Sequence, residues 1–426
     1  MRKAVMTARP GLPRRLVLKA SAGAALLPLG AGAWAAAADA GPGPNGGGGT
    51  QRLIVILLRG AVDGLNVVVP YADQNYYAAR PSIAIARPGE PDGALALDQR
   101  FGLHPALSSL MPLWREGNLA FIHAAGSPDP NRSHFEAQRY IENGTPGHST
   151  TLDGWMNRLL QALPGPRDPA EALSVGPTLP RILTGIAPVA NLPLGPNAAK
   201  PLPIDQPMLA EAFDRLYSGD DALGRAYREG RHARTQLIDD LAREQASADA
   251  GAPPPTSFAA RAWQLAGLIG GDPRIRLAFV ALGGWDTHVD QGGHNGQLAN
   301  RLRPLGDGLA ALARGLGPAW RDTVIVVLSE FGRTVHENGD RGTDHGHGNV
   351  VWVAGGAVKG GRVYGDWPGL AAAQLYQRRD LAVTTDFRAA LAAILGPHLR
   401  LTDRQLDLVF PDAPPAATGL ARLLAA

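Results

Sequence analysis

Residues 53–66 read Leu-Ile-Val-Ile-Leu-Leu-Arg-Gly-Ala-Val-Asp-Gly-Leu-Asn. The first six are continuously apolar, include β-branched members and stop at a charged residue and a glycine. A run of that length without polar alternation fits a strand buried on both faces, as in a parallel sheet covered by helices. Similar runs recur at 119–122, 276–282, 323–328 and 349–354. Helical patterns lie between them. Leu298, Leu302, Leu305, Leu309, Leu312 and Leu316 fall at spacings of four and three, on one helical face, with Pro304 inside as a candidate kink. Thr256-Ser257 is placed to cap a helix over 258–269, and 380–395 reads as another. Strands alternating with helices predict an α/β fold, layered α/β/α around a largely parallel central sheet.

Outward from this core the chain changes character. Residues 51–415 are expected to form the domain, with 160–255, first Pro-rich and then charged and helical, as an insertion or cap subdomain. Residues 39–50 are a Gly/Pro-rich linker and 416–426 a tail. The first 38 residues read as an export signal: Arg14-Arg15 precedes a mildly apolar stretch and an Ala-rich end suited to cleavage near Ala38. That stretch is too short and too rich in Ala and Gly for a span, which needs roughly 20 apolar residues. The expectation is a twin-arginine leader, engaging the twin-arginine export machinery and leaving a periplasmic or secreted protein with no membrane span.

Composition excludes several classes. The 426 residues are 45% hydrophobic and 19% charged, which is globular rather than disordered or fibrous. There is no Cys, so disulfides, thiolate metal sites and cysteine nucleophiles are excluded. The net charge of +3 comes from the leader, whose six basic residues have no acidic counterpart; the rest carries 35 basic against 38 acidic residues. Nothing in that balance points to nucleic acid.

In parallel α/β sheets functional groups gather at the carboxyl ends of strands. After 53–58 come Arg59 and Asp63-Gly64; after 276–282 come Asp286-Thr287-His288; after 323–328 come Glu330 and Arg333, followed by Asp344-His345-Gly346-His347. Five of the eleven histidines lie between His288 and His347. Imidazole and carboxylate groups without thiolate fit Zn, Mn, Fe or a similar divalent ion, one or two in number. The candidate ligands are Asp63, Asp286, His288, Glu330, Asp344, His345 and His347. Beyond 119–122, Ser133 opens a helical segment beside Arg132 and His134. Ser133 with Glu136 fits a capping box, and a serine at a helix start is also placed to act as a nucleophile. His134 is a candidate ligand or base, and Arg59, Arg132 and Arg333 are candidates for holding an anion or for pairing with a carboxylate. Residues 355–361 resemble a hairpin, but they lack Walker A order, and no Gly-x-Ser-x-Gly elbow is present.

The motifs LLRGAVDGLN, FGLHP, RSHFEAQ, GGWDTHVDQ, SEFGRT and GTDHGHG, in this order, resemble the domain-of-unknown-function family 1501 over about 50–415. That family is grouped with the alkaline phosphatase and sulfatase superfamily. The resemblance implies an alkaline phosphatase-like fold with divalent metals at the strand ends, Asp63 as a first-strand ligand and Ser133 as the nucleophile. Two departures stand out: Glu330-Phe331 replaces the superfamily's Asp-His pair, and Asp286-Thr287-His288 is tighter than the usual spacing. Neither Cys-x-Pro-x-Arg nor its Ser equivalent surrounds Ser133, so formylglycine sulfatase chemistry is unsupported. The resemblance implies a metal-dependent hydrolase or transferase acting on a phosphate or sulfate ester; the alternative is a non-catalytic exported protein using the same site for binding or structure.

Overall fold

The computed structural model describes residues 49–165, 168–176, 178–192, 249 and 252–424. The expected leader, most of the linker and much of the expected cap lie outside them. The strands are β1 (Arg52–Leu58), β2 (Val68–Val69), β3 (Leu95–Ala96), β4 (Gly102–Leu103), β5 (Leu119–Gly126) and β6 (Ala172–Val175). They continue as β7 (Ala190–Leu192), β8 (Leu277–Leu282), β9 (Thr323–Ser329), β10 (Asn349–Gly355), β11 (Arg362–Tyr364) and β12 (Thr385–Asp386).

One sheet has the order β11-β5-β10-β9-β1-β8-β6-β7, with β12 added on β5. Its centre is the run that opened the sequence: β1 pairs in parallel with β8 on one side and β9 on the other. Leu53, Val55 and Leu57 pack into a core with the helices Trp155–Ala162 and Phe387–Leu399. Ile54, Ile56 and Leu58 pack into a second core with the helices Phe258–Gly271 and Gln297–Gly315. All six side chains are fully buried, because the strand is covered on both faces. The layered α/β/α architecture is therefore as expected. The helix Gln297–Gly315, with its C-cap Leu316, buries the predicted leucine face and carries Pro304 inside it.

Among the described strands of this sheet β10 alone is reversed, antiparallel to both β9 and β5. Its two edges are thereby filled. The segment after it cannot fold back as a hairpin, and β11 pairs with β5 instead. The last long helix begins at Phe387 rather than near 380, since Asp386 caps it through the Arg388 N–H and Thr385-Asp386 are tied to β5. In the stretch expected as an insertion, β6 and β7 extend the sheet beyond β8. In the expected tail, Leu420, Leu423 and Leu424 are buried in the core. Among the described residues no helix is long and apolar enough to cross a membrane.

Candidate metal centre

Parallel pairing puts the carboxyl ends of β1, β5, β8 and β9 along one edge, and the reversal of β10 brings its first residues there too. Four of these strands therefore bring side chains to one place. His134 opens the helix His134–Asn143 beyond β5, Asp286 and His288 follow β8, Glu330 follows β9, and Asp344 and His345 precede β10. The loops lie backbone against backbone. Gly60 has φ +111°, and a Cβ there would stand 2.7 Å from the Asp286 nitrogen, so only glycine fits.

His134 Nε2 and His345 Nε2 are 2.9 Å apart, and Asp286 Oδ1 is 3.6 Å from the first and 3.5 Å from the second. Three ligands about 2.0–2.1 Å from a tetrahedral ion stand about 3.3–3.4 Å from one another, so these edges match three corners of such a shell. His288 joins from one side, its Nε2 3.0 Å from both Asp286 Oδ1 and His345 Nε2. The outer nitrogens are anchored. His134 Nδ1 is 2.8 Å from Glu330 Oε1, and His288 Nδ1 is 3.3 Å from Asp344 Oδ1. A carboxylate facing Nδ1 fixes the proton there and turns the Nε2 lone pair inward, the usual arrangement behind a metal-bound imidazole. Glu330 is fully buried and held by the Gly60 N–H and the Gln138 amide.

The electrostatics agree with a centre that calls for positive charge. Burial disfavours charge on Asp286, yet the surrounding imidazoles and Arg333 outweigh it and hold its carboxyl far below the ordinary range. Burial likewise opposes protonation of His134, but hydrogen bonds to Asp286 and Glu330 prevail and lift it to about 9. His288 is raised by its hydrogen bond to Asp286, whereas burial lowers His345. Glu330, despite its burial, is drawn down to about 2 by His134 and Gln138. Without a cation, protons have to fill the space between these nitrogens and the carboxylate.

Asp63, expected among the ligands, is engaged elsewhere. Both its oxygens accept from Arg80, at 2.5 and 3.0 Å, and Oδ2 also accepts from Gln291 Nε2 at 2.6 Å. Arg80 and Asp63 are completely buried. Gln291 Oε1 in turn accepts from the Thr287 and Thr343 hydroxyls, each at 2.8 Å. Thr287 lies between Asp286 and His288, and Thr343 precedes Asp344. This network therefore ties the two ligand-bearing loops together. His347 is also apart from the cluster, stacked on Tyr376 with ring centroids 4.4 Å apart.

The arginines expected to clamp an anion are occupied. Arg333, fully buried, donates to the carbonyls of Gly60, Ala61, Trp285 and Thr343 and to the Asp286 carboxylate. Arg59 pairs with Glu142 at 2.6 Å, and Arg132 with Asp380 at 2.6 Å. Ser133 is exposed, and its side chain makes no capping bond, so the expected capping box is not formed: the Asn131 side chain takes the Ser133 N–H, and Glu136 pairs with Arg139. Two groups carried no sequence signal. Arg80 sits in a loop-rich stretch with no motif. Asp249, whose carboxylate is raised to about 6 by burial and accepts from the Gly284 N–H at 2.6 Å, lies in the segment read as a cap.

The sequence profile of the family described as "Protein of unknown function (DUF1501)" matches residues 50–410, and the chain belongs to that family. No curated protein matches it. Solved structures similar to it include the following three. Ps i-CgsB, in complex with k-i-k-neocarrahexaose, is 9% identical; the match covers 84% of this chain and 74% of that one, with a TM-score of 0.38. The C-terminal periplasmic domain of EcEptC from Escherichia coli, in complex with Zn, is 11% identical over 72% of this chain and 73% of that one, TM-score 0.35. A protein in the alkaline phosphatase superfamily from Vibrio parahaemolyticus is 10% identical over 72% of this chain and 61% of that one, TM-score 0.34.

Proposed function

We propose that this chain is an exported metal-dependent hydrolase or transferase acting on a phosphate or sulfate ester. One observation carries the reading: His134, Asp286 and His345 present three ligand atoms within 4.8 Å of one another, with Glu330 anchored behind His134. The donor set fits zinc or a similar divalent ion, and three protein ligands leave one tetrahedral position for water or substrate, as in catalytic rather than structural sites. A bound ion would polarise a phosphoryl or sulfuryl oxygen and ease deprotonation of water. The chain's own groups do the rest. Glu330 and Asp344 keep the Nδ1 protons in place, and Arg333 fixes the Asp286 carboxylate while binding the loops that flank it. His288, the more accessible imidazole, is placed to move a proton at Nε2. Ser133, exposed and without a capping bond, is the side-chain nucleophile we favour, with water as the other.

A second reading, a non-catalytic protein using the centre for binding or structure, has its own support: Arg59, Arg132 and Arg333 are all consumed by protein partners. Metal analysis of the purified mature protein, then 4-nitrophenyl phosphate and sulfate as test esters, separates the two. Bound metal with turnover that ends on chelation supports the enzyme. Bound metal without turnover of any ester supports the second reading, and a metal-free protein indifferent to added zinc rejects both. If Ser133→Ala keeps both metal and turnover, water is the nucleophile. Replacement of Arg14 and Arg15 by lysine should strand the precursor in the cytoplasm.

A further inference from the structure

A cavity of about 410 Å³ opens beside the metal centre, between the helix His134–Asn143 and the ends of β6 and β8. Its floor is apolar, formed by Val175, Phe279 and Ala281. Its walls are cationic: Arg59, Arg139 and Arg181 face it, with Glu142 as the one acid among the described lining residues. Glu142 is spent on Arg59 and on the Ile182 N–H. Arg139, partly exposed, pairs with Glu136 at 3.3 Å, lies over the Phe135 ring and donates to the Ser149 carbonyl at 3.4 Å. Arg181 is exposed, and its charge acts on Glu142 across the cavity wall. Among its described lining residues the cavity therefore sets three arginines against one carboxylate.

An independent observation points to a ligand. Ser174 lines the same cavity, is 1% exposed, and its buried hydroxyl has no hydrogen-bond partner. Buried hydroxyls are ordinarily paired, and one left open inside a cavity awaits a partner that arrives from outside. The cavity also touches the centre. Gln138 lines it and donates at 3.0 Å to Glu330 Oε1, the oxygen that holds His134 Nδ1.

We propose that this cavity binds a ring-bearing organic anion, with its carboxylate or sulfate between Arg139 and Arg181, a ring hydroxyl or acid oxygen on Ser174, and the ring face on Phe279. A volume of this size and a mixed lining suit one ring with its substituents. The proposal rests on the reading above in one respect: the anion is taken to be the non-reacting end of the ester handled at the metal.

Calorimetric titration of the metal-loaded mature protein tests it, with glucuronate and benzoate as anions and glucose and benzamide as their neutral counterparts. At least one anion should saturate, with its neutral counterpart at least tenfold weaker; which anion wins tells a sugar ring from an aromatic one. Arg181→Ala and Arg139→Ala, both at solvent-accessible positions, should each weaken the anion about tenfold, and chelation should change its affinity less than twofold. Equal binding of anion and neutral counterpart, or no binding of either anion, overturns the proposal. So does affinity that falls on chelation but not in the arginine variants, which puts the probe on the metal and leaves the enzymatic reading intact. Arginine-dependent binding in a protein that neither holds metal nor turns over any ester keeps the cavity and rejects the enzyme.

Discussion

Two polar clusters share the carboxyl edge of the sheet, and they differ in what stands at the centre. Around Asp63 the centre is a guanidinium: Arg80 supplies the positive charge, and Gln291 and Asn66 complete the hydrogen bonds. Around Asp286 the centre is a meeting of imidazole nitrogens, with His134 and His288 fixed from behind by Glu330 and Asp344. Both are buried carboxylates at strand ends and look alike in the sequence. A carboxylate with an arginine built against it is a structural tie, because its charge is already matched. A carboxylate ringed by inward-turned lone pairs calls for a cation from solution.

The comparison breaks most readily at Arg80. Arg80→Ala leaves Asp63 charged, buried and unpaired, which should cost about 3–5 kcal/mol in urea unfolding; a change below about 1 kcal/mol would show that the Asp63 cluster is not held by this pair. At the other cluster His345→Ala removes one of three ligands. Zinc affinity, measured by chelator competition, should drop on the order of 100-fold or more, beyond what loss of an outer partner costs. Undiminished affinity would move the site elsewhere. Glu330→Gln keeps the shape and removes the anchoring charge, for a loss of roughly 10–100-fold. Asp344→Asn loosens His288, which is not one of the three ligands, so its zinc affinity should change by less than about 10-fold. The smallest effect is in pH. In the metal-free protein His134 is raised from 6.5 to about 9, so its contribution to stability is full below pH 6.5 and is lost as pH rises through about 9. Unfolding midpoints of the metal-free protein should decline over that window and those of the zinc-loaded protein should not, because there the ion holds the place of the proton. Parallel profiles would count against a shared proton and metal site.

The strand at 53–58 was legible because a doubly buried strand needs an unbroken apolar run, and the edge where the chemistry gathers followed from parallel pairing. The direction of β10 was not legible, since an apolar run reads the same either way. Yet that reversal brings Asp344 and His345, which precede their strand, to the edge where Asp286 follows its own. Asp286 and His345 were visible as residues of ligand type, and His134 as a ligand or base. Asp63 looked equally suitable, and what sets it apart, Arg80, sits in a stretch with neither period nor motif. Partner choice at a distance of many residues is a property of packing, and periodicity does not report it. Arg333 shows the same: a strand-end arginine reads as an anion clamp, while its hydrogen bonds to four backbone carbonyls make it a clasp for loops.

His134 and His345 stand 211 positions apart along the chain, and Asp286 lies between them. An unfolded chain offers an ion no pre-assembled trio, so mass action works almost wholly for the native state. At free ion about 1,000-fold above the dissociation constant, that linkage amounts to about 4.1 kcal/mol. It is comparable to what a native domain has in reserve, roughly 5–15 kcal/mol. Ion supply in the surrounding medium then becomes a setting of the protein's lifetime as much as of its chemistry, and melting temperature will track zinc concentration logarithmically.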